Sequence, residues 1–299
     1  MFSYVAAYFR SVPLRILLRC TLFIAVTIFC NYYFGVNSFI RKLPDVQQGF
    51  AWFFVFFTVF LSGYLFQDAF QENKLFQKPI FFFLLFVAPL LFAWKMTARF
   101  TFQFFADLET NSYWNQVVYW PLKLTVILVA LLLIWYNYNK EQPFYGTTMK
   151  GFDVKPYFIM LLLMLPLILL AATQADFLAL YPKLKNSGFL VHDGAWYYKL
   201  LYELSYGMDF ITIEVFFRGF LVLGFAKWAG KEAVLPMALF YCTIHFGKPL
   251  GECISSYFGG LILGAITLRT RSIWGGLIVH LGIAWLMELF GFLGNSGVL

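Results

Sequence analysis

Charge is scarce in this chain. Only 12% of its 299 residues are Asp, Glu, Lys or Arg, about half the fraction of an ordinary soluble domain. No long polar stretch survives once the apolar runs are set aside, so there is no room for an appended soluble domain. Cysteine is scarce too: Cys20, Cys30, Cys242 and Cys253 lie within or beside apolar runs and lack metal-ligand spacing. Free thiols are expected, not a disulfide framework. Cys242, three residues before His245, is the one thiol placed where a nucleophile is conceivable, although reactive thiols need a polar setting. There is no His-Glu-x-x-His pair, internal repeat, low-complexity tract or linker. The net charge of +7 comes from Lys and Arg in short connections. That pattern orients a membrane protein and does not call for a nucleic-acid partner.

What the chain has is hydrocarbon: 61% of its residues are hydrophobic, and 39 are Phe. Apolar runs lie near 16–36, 50–66, 79–94, 117–136, 156–174, 207–226, 233–246, 253–268 and 273–293. Several reach the length of about 20 residues that spans a bilayer. The expected fold is an all-α polytopic membrane protein of about eight or nine transmembrane helices. Pro89, Pro166 and Pro236 lie inside runs and predict kinks. Arg10, Arg15 and Arg19 precede a first run too long for a cleavable signal, so it reads as an uncleaved span.

With nine spans, Arg10, Arg15, Arg19, Lys74, Lys78, Lys140, Lys150, Lys155, Lys227, Lys231, Arg269 and Arg271 share one face. The smaller basic set on the other face favours a cytoplasmic N-terminus. Aromatic residues in the connections near 95–116 and 175–206 suit the headgroup layer. His192, in Val-His-Asp-Gly, reads as an exposed turn residue. Residues 1–175 are read as N-terminal transmembrane helices, and 176–299 as a C-terminal transmembrane core within one integrated domain. The expected setting is a bacterial inner membrane.

The chemistry lies in the C-terminal third. Glu214 and Arg218 are four apart, so an α-helix puts them on one face where they can pair. His245 ends one apolar run, and His280 lies inside another. Ionisable groups cost at least a few kcal/mol each in hydrocarbon, which marks them as functional candidates. Asp209 adds a second carboxylate near Glu214, and Glu288 follows His280 by two helical turns.

The order Glu-x-x-x-Arg-Gly, aromatic-x-x-x-His, then a Gly-rich span followed by His resembles the CPBP family of intramembrane proteases. That family includes the type II CAAX prenyl endopeptidases and the bacteriocin-processing, Abi-like proteins. The matching residues are Glu214, Arg218 and Gly219, Tyr241 with His245, and His280, and the likeness covers about residues 205–290. Two positions depart from the pattern. Ile213 stands where the family has the first of two glutamates, the one held to activate water. Ala284 stands where it has an asparagine four residues after the last histidine. Asp209 and Glu288 are each one turn from these gaps, and Glu252 begins the linking stretch.

The resemblance implies peptide-bond hydrolysis with no obligatory cofactor. Glu214, or Asp209 in its place, would deprotonate a water with His245. His280 would stabilise the oxyanion, and Arg218 would keep the carboxylate ionised and oriented. Zinc held by Glu214, His245 and His280 is the minority alternative. The expected partners are the lipid bilayer and a peptide or membrane-protein substrate, with the oligomeric state left open. An inactive relative that binds membrane proteins or peptides, and a proton-coupled carrier, are the competing functions. The carrier lacks the internal repeat usual for such folds.

Overall fold

The computed structural model describes residues 2–67, 75–149, 152–186 and 195–297. His192, Lys74 and Lys150 lie outside the described residues. The helices are α1 (Phe2–Ser11), α2 (Leu14–Phe34), α3 (Val36–Ile40), α4 (Asp45–Leu65), α5 (Pro79–Thr97), α6 (Leu108–Tyr138), α7 (Lys155–Ala171), α8 (Ala175–Leu180), α9 (Trp196–Ile213), α10 (Ala226–Ala229), α11 (Val234–Thr243), α12 (Leu250–Thr270) and α13 (Trp274–Asn295), with a π-helix over Glu214–Gly224. There is no strand among the described residues. The protein is all-α.

Each of the nine apolar runs lies mainly in helix, the one near 207–226 crossing from α9 into the π-helix. Among the described residues six, namely α2, α4, α5, α6, α12 and α13, are long and apolar enough to cross a membrane. The other runs fall in α7 and α11, which are shorter, and in α9 with the π-helix, which starts among polar residues. Proline and left-handed residues set several boundaries. Pro13, Pro44 and Pro249 precede α2, α4 and α12. Gly35, at φ 66°, closes α2 by donating its N–H to Asn31 O. The helices run on through Pro89 and Pro166, while Pro236 falls in the first turn of α11, where a missing N–H costs nothing.

The outward faces show which solvent the fold is built for. On α2, Ile16, Cys20, Ile24 and Ile28 are buried, while Leu14, Leu18 and Leu22 are more than half exposed. Both stripes recur every four residues, so the helix is apolar on both sides. Large apolar side chains exposed over whole helices suit lipid and not water.

The chain forms two compact units. The first gathers residues 1–98, 134–148 and 215–273, and the second gathers 99–133, 149–214 and 274–299. Each draws on stretches from both sides of residue 175.

The core of the first unit is aromatic. Phe92 meets Phe216 and Phe217 at ring-centroid distances of 5.0 and 4.9 Å, and Phe240 meets Phe56 at 4.9 Å. Gly63 lets α4 approach the backbone of Pro236, since a Cβ there would lie 2.6 Å from Pro236 Cα. The π-helix packs into this core, and two amides secure its end: Asn139 Nδ2 donates to Gly224 O at 3.2 Å, and Gln142 Nε2 to Leu223 O at 3.3 Å. Tyr145, at φ 39°, presses on Gly219 so closely that a Cβ there would stand 2.7 Å from Tyr145 O. The Gly after Arg218 therefore answers to a steric need.

In the second unit α9 packs on α6 and α13. Ser205 Oγ donates to Val117 O at 2.5 Å, and Tyr113 Oη to Tyr198 O at 2.9 Å. A Cβ at Gly207 would lie 3.3 Å from Leu281 and 3.6 Å from Trp285, so the missing side chain brings α9 against α13.

Candidate active site

The second unit holds a carboxylate–imidazole pair, with the carboxylate buried and the imidazole half-buried. Glu214 is wholly buried, and its Oε1 lies 3.1 Å from His280 Nδ1. An ionised carboxylate only accepts, so Nδ1–H donates and fixes the tautomer of His280. Phe210, one turn before Glu214, meets the His280 ring edge-on at a centroid distance of 4.9 Å. Gly276, one turn before His280, leaves the space in which the carboxylate lies, because a Cβ there would overlap Glu214 Oε2. One face of α9 and its extension thus offers Phe210 and Glu214, and one face of α13 offers Gly276 and His280. Sequence reasoning named the charged members and missed Phe210 and Gly276. The missing signal was helical spacing, since each lies four residues from a named partner on the same face.

The neighbouring Gly275 has a different role. A Cβ there would overlap the Tyr157 ring, so this glycine seats α7 against α13.

The first unit holds a cation–aromatic–imidazole stack. The Arg218 guanidinium carbon lies 4.1 Å from the Tyr241 ring centroid, and Tyr241 meets His245 at 4.8 Å and 68°. His245 Nδ1 lies 3.0 Å from Tyr241 O. A carbonyl cannot donate, so Nδ1 carries the proton here as well. In the neutral form both histidines therefore use Nε2 as the acceptor nitrogen. Arg218 is only 1% exposed, and it belongs to the π-helix. The connection after His245 is fastened by Asn31 Nδ2, which donates to Phe246 O at 3.0 Å, and by Tyr32 Oη, which donates to Lys248 O at 2.6 Å.

The other sequence candidates have separate partners. Glu288 is buried and accepts the backbone N–H of Lys183 at 2.9 Å and of Leu184 at 3.3 Å, which pins the 3-10 turn Lys183–Asn186 to α13. Glu252 pairs with Lys248 at 3.0 Å. Asp209 is half-buried in the second unit. Among the described residues no group of three His, Cys, Asp or Glu side chains is gathered as metal ligands.

These contacts carry two predictions. Arg218→Ala should lower folding yield and melting temperature by an amount equivalent to about 2 kcal/mol or more, the scale of a desolvated cation–π contact. Arg218→Lys should restore part of the loss, as read by detergent-solubilised yield and thermal melting. Glu288→Ala should destabilise the protein by about 1–3 kcal/mol through two unsatisfied backbone donors, while Glu288→Gln, which keeps an acceptor oxygen, should lose less. The measurement is a denaturation series on both variants.

No curated protein and no solved structure is matched by the chain. Residues 200–286, which contain Glu214, Arg218, Tyr241, His245 and His280, match the family described as type II CAAX prenyl endopeptidase Rce1-like. This is a protease family, and the stretch of this integral membrane protein that matches it carries Ile213 and Ala284.

Proposed function

We propose that this protein is an intramembrane endopeptidase that hydrolyses peptide bonds of membrane-associated or prenylated substrates. The observation that carries the reading is the pairing of buried Glu214 with half-buried His280, with Oε1 and Nδ1 at 3.1 Å. A carboxylate that accepts from Nδ1–H directs the other ring nitrogen toward the reaction, and it stabilises the imidazolium formed when that nitrogen takes a proton. His280 Nε2 then serves as base toward a water, or in its protonated form as donor to the carbonyl oxygen. Here Glu214 acts through His280, which suits a chain whose first glutamate position is Ile213. By the family resemblance His245 is a second base, and Arg218 carries a fixed positive charge. General acid–base groups of this kind contribute about 10²–10⁴-fold each.

The test is incubation of the purified protein in proteoliposomes with a library of membrane and prenylated peptides, read by mass spectrometry beside a His280→Ala control. Cleavage that disappears in the control supports the reading. No cleavage in the parent points instead to an inactive peptide-binding relative, the reading favoured by Ile213 and Ala284, and solute flux in the same vesicles would indicate a carrier.

Chelation supplies a further prediction. Activity should survive a strong chelator and disappear in His245→Ala and His280→Ala, because a water activated by a carboxylate–histidine pair needs only a base of suitable pKa in a dry pocket. Loss on chelation with recovery on added zinc would replace this mechanism with a metal one.

A further inference from the structure

Two thiols in the first unit face each other where α11 packs on α12. Cys242 and Cys253 are both fully buried, and their sulfurs are 3.9 Å apart. Each thiol also points at the other's backbone: Cys242 Sγ lies 3.3 Å from Cys253 O, and Cys253 Sγ lies 3.8 Å from Cys242 O. The packing that brings them together is close. A Cβ at Gly260 would stand 3.2 Å from Tyr241, and one at Gly264 would stand 2.6 Å from Met237. Nothing in the peptidase reading uses either sulfur.

We propose that Cys242 and Cys253 form an oxidisable thiol pair, a modification site that closes into a disulfide on exposure to a peroxide. Sulfurs in van der Waals contact need only side-chain rotation and a small backbone adjustment to reach the bonding distance of about 2.05 Å. The Cys253 thiolate attacks one peroxide oxygen. An S–O bond forms, the O–O bond breaks, and the departing oxygen leaves as water with the thiol proton. Cys242 Sγ then attacks the Cys253 sulfur. The S–S bond forms, the S–O bond breaks, and a second water leaves with the Cys242 proton. Two thiols lose two electrons in all, and one peroxide becomes two waters.

The bond would join α11 to α12 and enclose the connection that carries His245, Lys248 and Glu252. The same redox step would thus constrain the histidine of the cation–aromatic stack. The inference rests on the first unit alone, so it stands or falls independently of peptidase activity.

The experiment treats the purified full chain in lipid nanodiscs with hydrogen peroxide, denatures it, and counts maleimide-reactive thiols by mass spectrometry. The chain has four cysteines, all free in this structure. The expected result is a fall from four labelled cysteines to two, with a Cys242–Cys253 cross-linked peptide in the digest and full recovery after dithiothreitol. Cys242→Ser and Cys253→Ser should each abolish the cross-link. Four labelled cysteines after treatment, a sulfinic or sulfonic acid at either position without a cross-link, or a bond involving Cys20 or Cys30 would overturn the proposal. The peptide map of the parent alone decides this, even if both serine variants fail to accumulate.

Discussion

Glu214→Gln should slow peptide hydrolysis by about 10²–10⁴-fold while the protein accumulates and melts close to the parent. Glutamine has nearly the shape of glutamate, and its Oε1 can still accept from His280 Nδ1, so the 3.1 Å contact keeps its geometry. What disappears is the negative charge. An imidazole that takes a proton beside a neutral amide gains no ionic stabilisation, and the transition state loses what the ground state never used. The effect should therefore fall on kcat more than on KM. His280→Ala should lose at least as much, and the double variant should lose little more than the worse single one, because the two residues act as a unit. The measurement is single-turnover cleavage in proteoliposomes with melting curves on the same preparations. A glutamine variant that cleaves at the parental rate would remove Glu214 from the chemistry, and one that fails to fold would show the charge to be structural.

The adjacent glycines of α13 should separate activity from stability. Gly276→Ala places a methyl group where Glu214 Oε2 lies, so the carboxylate must move. A displacement near 1 Å in a catalytic group costs on the order of 10²-fold in rate. Overpacking costs about 1–3 kcal/mol and replacing Gly by Ala within a helix returns roughly 1 kcal/mol, and because the atom met is the end of a flexible side chain the net loss should lie at the low end of about 0–2 kcal/mol. Gly275→Ala sends its methyl group into the Tyr157 ring instead. The energy terms are the same, but the clash is with a stiff aromatic ring that seats α7, so this variant should melt lower and keep its rate per folded molecule. Tyr157→Leu in the same chain should recover stability for Gly275→Ala and do nothing for Gly276→Ala. Equal losses of rate in both variants would mean that the glycines serve only helix packing.

Much of the architecture is written in the sequence, because it follows from local pattern. Apolar runs near the bilayer length become helices, proline and Gly35 set their limits, and leucines at 14, 18 and 22 opposite isoleucines at 16, 24 and 28 give α2 two apolar faces. The cost of burying charge picks out Glu214, Arg218, His245 and His280 without coordinates.

What each of them touches is another matter. Glu214 and His280 are 66 residues apart, and nothing local states that Gly276 makes the room between them. Glu288 shares a face with His280 by spacing, yet its oxygens are taken by the backbone of Lys183 and Leu184. The π-helix is equally illegible, since the amides that cap it come from Asn139 and Gln142, 85 and 81 residues away. Periodicity fixes which side of a helix a residue lies on, because backbone geometry repeats every 3.6 residues. It does not fix which neighbouring helix that side meets, or at what height. Those were decided by tertiary packing, where glycines set the distance between axes and a missing Cβ determines whether a carboxylate can reach an imidazole.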